Sequence, residues 1–169
     1  MEEVAKLLNH MLEAGVILDY AVFGAVAQMR YTEAVTTLDA DILVSVSNPK
    51  AIDVLGPLYR FCDALGYHPE GEAIRVGVWP VQLIPAFDDL TEEAIRKAEN
   101  ADLDGTPIRV VSADFLAVIA LSVGRAKDFA RILSLREVGA VDDKQISAIA
   151  GRHGLVEAWH RFQEKFDEA

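Results

Sequence analysis

Apolar and polar positions change period several times along the chain, and each change marks an element. From Glu2 to Ala14 the apolar residues Val4, Leu7, Leu8, Met11 and Leu12 fall on one helical stripe. That spacing predicts an amphipathic helix, which Gly15 ends. Val16 to Phe23 reads as a buried strand, and Gly24 to Arg30 as a short helix packed behind it. Asp41 to Val46 predicts a second strand, closed by Ser47-Asn48-Pro49, and Ala51 to Leu65 a helix that ends at Gly66. Two short strands follow, Ala73 to Val78 and Val81 to Ile84, with Trp79-Pro80 near their junction. Pro80 marks an edge or a bulge there, because proline cannot donate to a strand ladder.

Thr91 to Asn100 predicts a helix capped by Thr91, with Glu92 and Glu93 at its positive end. Ile108 to Val111 predicts a short strand after Gly105-Thr106-Pro107. Ser112 then caps a long apolar helix through Val123, which Gly124 breaks. Three more helices are expected over Arg125–Glu137, Asp142–Gly151 and about Leu155–Phe166. Strands dominate the first two thirds and helices the last third. The fold class that order implies is α+β, a mixed β-sheet flanked by helices with a helical C-terminal part. No internal repeat or long linker interrupts the chain. A single domain over 1–169 is expected, with a sheet-containing core over 1–111 and a helical part over 112–169.

Composition narrows the function classes. A chain of 169 residues, 51% hydrophobic and 25% charged, can bury a substantial core. No apolar run approaches the ~18 residues of a membrane span. The N-terminus lacks the basic start and apolar middle of a secretory signal, so a cytoplasmic location and no membrane partner are expected. Cys62 is the only cysteine, which rules out an intrachain disulfide and a cysteine-based zinc site. It lies in a helical pattern and is expected to be buried. The net charge of −11 opposes broad binding to nucleic acid backbone, but leaves room for a nucleotide held by a local basic cluster and a metal.

The candidate chemistry lies between Val22 and Val44, VFGAVAQMRYTEAVTTLDADILV. In a strand, residues i and i+2 face the same way, so Asp39 and Asp41 project together while Ala40 points away. Two adjacent carboxylates repel unless a cation sits between them, and oxygen ligands suit a hard divalent ion such as magnesium. A solvated turn is the bland alternative. Against it, Asp41 adjoins the core run Ile42-Leu43-Val44, where an unpaired carboxylate is costly. The Gly24-Ala25 turn lies between a strand and a helix, where small residues admit close approach of a ligand, and neighbouring strands would bring it to the same sheet edge as the carboxylates. The main basic cluster is Gly124-Arg125-Ala126-Lys127-Asp128-Phe129-Ala130-Arg131, in which Lys127 and Arg131 share a helix face. That pair could grip a triphosphate, salt-bridge to Asp39 and Asp41, or form an ordinary solvated face. The four histidines show no metal-ligand spacing.

Taken together, Val22-Phe23-Gly24-Ala25-Val26-Ala27, Tyr31, Glu33 and Thr36-Thr37-Leu38-Asp39-Ala40-Asp41 resemble the signature of the nucleotidyltransferase superfamily with the DNA polymerase beta-like fold. The resemblance is nearest to small bacterial AbiEii-type toxin nucleotidyltransferases. It extends to Pro80-Val81-Gln82-Leu83-Ile84-Pro85, Glu92-Glu93-Ala94 and Gly124-Arg125-Ala126-Lys127-Asp128, and covers residue 16 to about residue 135. The resemblance implies a nucleoside triphosphate substrate, a magnesium (or manganese) cofactor and an unknown acceptor hydroxyl. Asp39 and Asp41 would be the metal ligands, and Lys127 would act with them in catalysis. Gly24, Ala25, Thr37, Gln82, Arg125, Lys127 and Arg131 would bind the nucleotide. A toxin–antitoxin role, with a protein antitoxin as partner, is a further implication.

Three departures from the superfamily pattern stand out. The turn has Ala25 where a Gly or Ser is usual. Gln82 stands where many active members carry a third carboxylate, for which Asp88 or Asp89 would be a replacement. Ser122 falls where a lysine is frequent. Three readings follow: a metal-dependent nucleotidyltransferase, a catalytically weakened nucleotide-binding or protein-interaction relative, and a structural module with an ordinary Asp turn.

Overall fold

The computed structural model describes residues 1–167, which form eight helices and seven strands. The chain divides into two compact units. One comprises Met1–Ala27 and Val35–Val111; the other comprises Gln28–Ala34 and the chain from Ser112 onward.

The first unit is built on one mixed sheet. Its elements are α1 (Glu2–Glu13), β1 (Asp19–Val22), α2 (Gly24–Gln28, whose last residue belongs to the second unit), β2 (Ala40–Ser45), α3 (Gly56–Ala64), β3 (Pro69–Glu70), β4 (Ala73–Val76), β5 (Trp79–Pro85), α4 (Asp89–Arg96), β6 (Glu99–Leu103) and β7 (Thr106–Val110). The strand order is β3-β4-β5-β2-β1-β7-β6. Strands β1 and β2 are antiparallel, with Val22 opposite Ile42, whereas β2 and β5 are parallel, with Asp41 level with Gln82. β1 lies between β2 and β7, and Tyr20, Ala21 and Val22 are all buried, which explains its unbroken apolar run. α1 buries Val4, Ala5, Leu7, Leu8 and Met11, most of the stripe read from the sequence, and packs on β7.

Several expected boundaries move for identifiable reasons. The segment 51–55 is not helical: the Asp53 side chain accepts a hydrogen bond from Gly56 N at 2.7 Å, and Pro57 sits at the start of α3. α4 is capped by Asp88, not by Thr91; Asp88 Oδ1 accepts from Thr91 N at 2.8 Å. That helix also ends early. Glu99–Leu103, whose polar side chains read as a helix tail, form an edge strand paired antiparallel with β7. Asp104 (φ 52°) and Gly105 (φ 90°) make the tight connection between them, since both adopt the left-handed backbone a two-residue hairpin requires. Trp79-Pro80 lies near the β4–β5 junction, as the first two residues of β5, with Pro80 opposite Arg75.

The second unit contains α5 (Ala113–Val123), α6 (Ala126–Glu137), α7 (Asp143–Arg152) and α8 (Val156–Asp167). α5 is apolar on nearly all sides and packs against α6, α7 and α8. Gly124 ends it with φ 71°, a left-handed C-cap.

Candidate active site

The carboxylate pair stands at the leading end of β2. Ala40 between them is fully buried, and Asp39 and Asp41 are half-buried. Because β1 runs antiparallel to β2, the end of β1 meets the start of β2, and Phe23 N donates to Asp41 O at 2.8 Å. The chain turns at Gly24 directly against Asp41. Gly24 has φ 64°, and a Cβ there would lie 2.4 Å from Asp41 Oδ2 and 3.2 Å from its Cγ. Any other residue would be strained there: the backbone is left-handed, and a Cβ would force the Asp41 carboxyl to move. Ala25 follows, half-buried, in the five-residue α2.

Two side chains fix Asp39. Thr37 Oγ1 donates to Asp39 O at 2.9 Å and lies 3.4 Å from Asp39 Oδ1. Gln82 Nε2 donates to Asp39 Oδ2 at 3.2 Å from the neighbouring strand β5. Gly24, Thr37, Asp39, Asp41 and Gln82 therefore form one group on and beside the central strands β1, β2 and β5.

The oxygen ligands in that group are two carboxylates and a hydroxyl, while the Gln82 amide turns its N–H toward Asp39. Among the described residues no cluster of three or more His, Cys, Asp or Glu side chains could hold a metal. Such a set suits a hard ion that keeps water and substrate oxygens in its coordination sphere, and does not suit a closed protein cage. Asp88 and Asp89 do not join it. In the parallel β2–β5 pair Pro85 is level with Val44, so residues beyond it lie past the opposite end from Asp39. There Asp88 is occupied in capping α4.

Arg125, Lys127 and Arg131 belong to the second unit, at and near the start of α6. Lys127 and Arg131 stand one turn apart, and Lys127 is exposed. Arg125 is held by its own helix: its Nε donates to Asp128 Oδ2 at 2.7 Å, and its backbone N to the same oxygen at 3.1 Å. Asp128 is only 2% exposed. Burial works to raise its pKa, yet the Arg125 hydrogen bonds and the charges of Arg125 and Arg131 outweigh it and hold the carboxyl below its ordinary range. Arg131 Nε donates to Oε1 of buried Gln28 at 3.0 Å. The sequence reading singled out neither Gln28 nor the anchoring role of Asp128. The i,i+3 spacing of Arg125 and Asp128 was the signal for the second; nothing local marked the first. Ser122 Oγ donates within α5 to Ile119 O at 2.7 Å.

This mixed sheet, with its glycine turn and two-carboxylate strand, has the fold of nucleotidyltransferase-like proteins. No protein-family profile and no curated protein sequence matches the chain. Among solved structures, it is similar to the crystal structure of an antigenic nucleotidyltransferase-like protein from Paracoccidioides brasiliensis, with 14% identity, 94% of this chain and 91% of that chain covered, and a TM-score of 0.55. It is also similar to the crystal structure of ANT(2″)-Ia in complex with adenylyl-2″-tobramycin, with 12% identity, 98% of each chain covered and a TM-score of 0.50. At such identities the likeness establishes the fold, and function has to be argued from the site.

Proposed function

We propose that the chain is a metal-dependent nucleotidyltransferase, moving a nucleoside monophosphate from a nucleoside triphosphate to an acceptor hydroxyl with release of pyrophosphate. The observation that carries this reading is the convergence of Asp39, Asp41, Gly24 and Gln82 on the central strands of the sheet. Asp39 and Asp41 would hold magnesium or manganese. When bound, that ion would neutralise phosphate charge and polarise the phosphoryl oxygens. Gly24 leaves the Asp41 carboxyl and the adjoining backbone uncovered by any side chain of its own, and Ala25 continues the turn beside the proposed triphosphate. Thr37 and Gln82 orient Asp39 through their hydrogen bonds. Arg125, Lys127 and Arg131 enter this reading through the sequence resemblance alone, as phosphate-binding residues. Positioning and electrostatic stabilisation account for most of the rate in such transfers, so no further covalent group is required of the protein.

The adenylyl-2″-tobramycin bound by ANT(2″)-Ia supports transfer of a nucleotidyl group on this fold; we carry over the reaction class and leave the acceptor as a hydroxyl. The resemblance to AbiEii-type proteins extends the proposal to a cytoplasmic toxin restrained by a protein antitoxin. One observation favours a second reading. Gln82 has no proton-accepting group at neutral pH, which suits a protein that holds nucleotide and turns it over weakly or not at all.

Pyrophosphate release from each nucleoside triphosphate with magnesium separates these readings. Release by the wild type and its loss in Asp39→Asn supports the enzyme. Stabilisation by nucleotide without product supports the binding protein. No response to any nucleotide, with or without metal, contradicts both.

A further inference from the structure

The second unit holds a cavity of about 290 Å³ between the end of α5, the start of α6 and one face of α8. α8 builds most of it. Ala158, Arg161, Phe162, Lys165 and Phe166 follow the i, i+3, i+4, i+7, i+8 spacing that puts side chains on a single helix face. That face mixes two phenylalanines with two cations, and α6 adds Phe129. The three rings form a tilted cluster, with centroids 5.8 Å apart for Phe129–Phe162, 5.9 Å for Phe129–Phe166 and 4.8 Å for Phe162–Phe166. Phe162 is buried, whereas Phe129 and Phe166 are half-buried and line the cavity with ring surface to spare.

We propose that this cavity binds a small aromatic carboxylate. Its volume admits a molecule of one or two rings. Its charged lining is of one sign: Arg161 and Lys165 stand among apolar groups, and among the described residues no acidic side chain lines the cavity. In a chain with 27 acidic and 16 basic residues such a place is an exception, and it complements an anion. Lys165 Nζ lies 5.5 Å from the Phe129 ring and 5.2 Å from the Phe166 ring, so its charge is already held over the aromatic surface. Among the described residues the ion pair of Arg161 is a 3.8 Å contact with Glu157, whose side chain is 91% exposed, and water screens it. The planar N–H fork of Arg161 can therefore turn to a carboxylate. An aromatic acid would meet both cations while its ring packs on Phe129 and Phe166. A neutral aromatic would gain only the ring contacts, and an aliphatic acid only the charges. The site stands or falls apart from the proposed transfer reaction.

The test is a titration of the intact, nitrogen-15-labelled protein, followed by amide NMR shifts. The probes are indole-3-acetate and its neutral counterpart indole-3-ethanol. Indole-3-acetate should shift amides of α8 and the start of α6 in a saturable, one-to-one manner, with a Kd on the order of 1 mM or tighter. Indole-3-ethanol should bind about tenfold more weakly. The double variant Lys165→Met with Arg161→Gln should lose that preference and bind the two probes alike. Ala158→Trp should fill the cavity and abolish the shifts from both, with Ala158→Leu in its place if the first variant does not fold. No saturable shift in the wild type, shifts centred away from α8 and α6, equal affinity for the two probes, or a preference that survives removal of both cations overturns the proposal.

Discussion

At the scale of single residues, Gly24 is the position with least freedom. Its φ of 64° and the 2.4 Å separation between a would-be Cβ and Asp41 Oδ2 act together. Gly24→Ala should cost about 1–2 kcal/mol from the left-handed backbone alone. It should also displace the Asp41 carboxyl. Denaturant unfolding should show the stability loss, and a manganese titration should show weaker binding in the variant that remains folded. Unchanged metal binding in Gly24→Ala would contradict the close approach of turn and carboxylate. The Asp-x-Asp spacing, the glycine and the Gln82 position could all be read from the sequence, because alternation along a strand is strict. The hydrogen bond from Gln82 to Asp39 could not, because it depends on the register of two strands 43 positions apart in their numbering.

At the scale of elements, the start of α6 depends on Asp128. Its carboxyl closes the helix by accepting from Arg125 N while also holding the Arg125 side chain. Its pKa in the folded protein lies below the ordinary value of 3.8. The stabilisation is therefore present at and above ordinary carboxylate pKa values, and is lost as pH falls through the lower folded value. Asp128→Asn should be less stable than wild type by about 1–2 kcal/mol at neutral pH. Urea unfolding should show that gap shrinking below pH 4; an equal gap at pH 3 and pH 7 would contradict the assignment. Elements with strong periodicity, such as α1 and the apolar α5, were legible from pattern alone. The edge strand β6 was not, because its polar residues Glu99, Asn100 and Asp102 carry no alternation that distinguishes a strand from a helix end. The Asp104-Gly105 pair was the available sign of its hairpin.

At the scale of the whole molecule, the acidic surplus and the fold point the same way. A protein of net charge −11 has little long-range attraction for nucleic acid backbone, so under the proposed function a small nucleotide would be captured by local groups and a cation. No helix among the described residues is long and apolar enough to cross a membrane. The mixed sheet is the architecture of nucleotidyltransferase-like structures whose sequences are only 12–14% identical, so composition and pattern fixed the class of fold while leaving the chemistry to a few side chains. The measurement that bears most directly on that chemistry is thermal unfolding of wild type and Asp41→Asn across a titration of nucleoside triphosphate with magnesium. Both proteins should fold without ligand, since asparagine keeps the shape of the side chain. Magnesium with nucleotide should then raise the midpoint of the wild type alone, and neither component should do so by itself. An equal rise in Asp41→Asn, or a rise in the wild type that does not require the metal, would contradict the account.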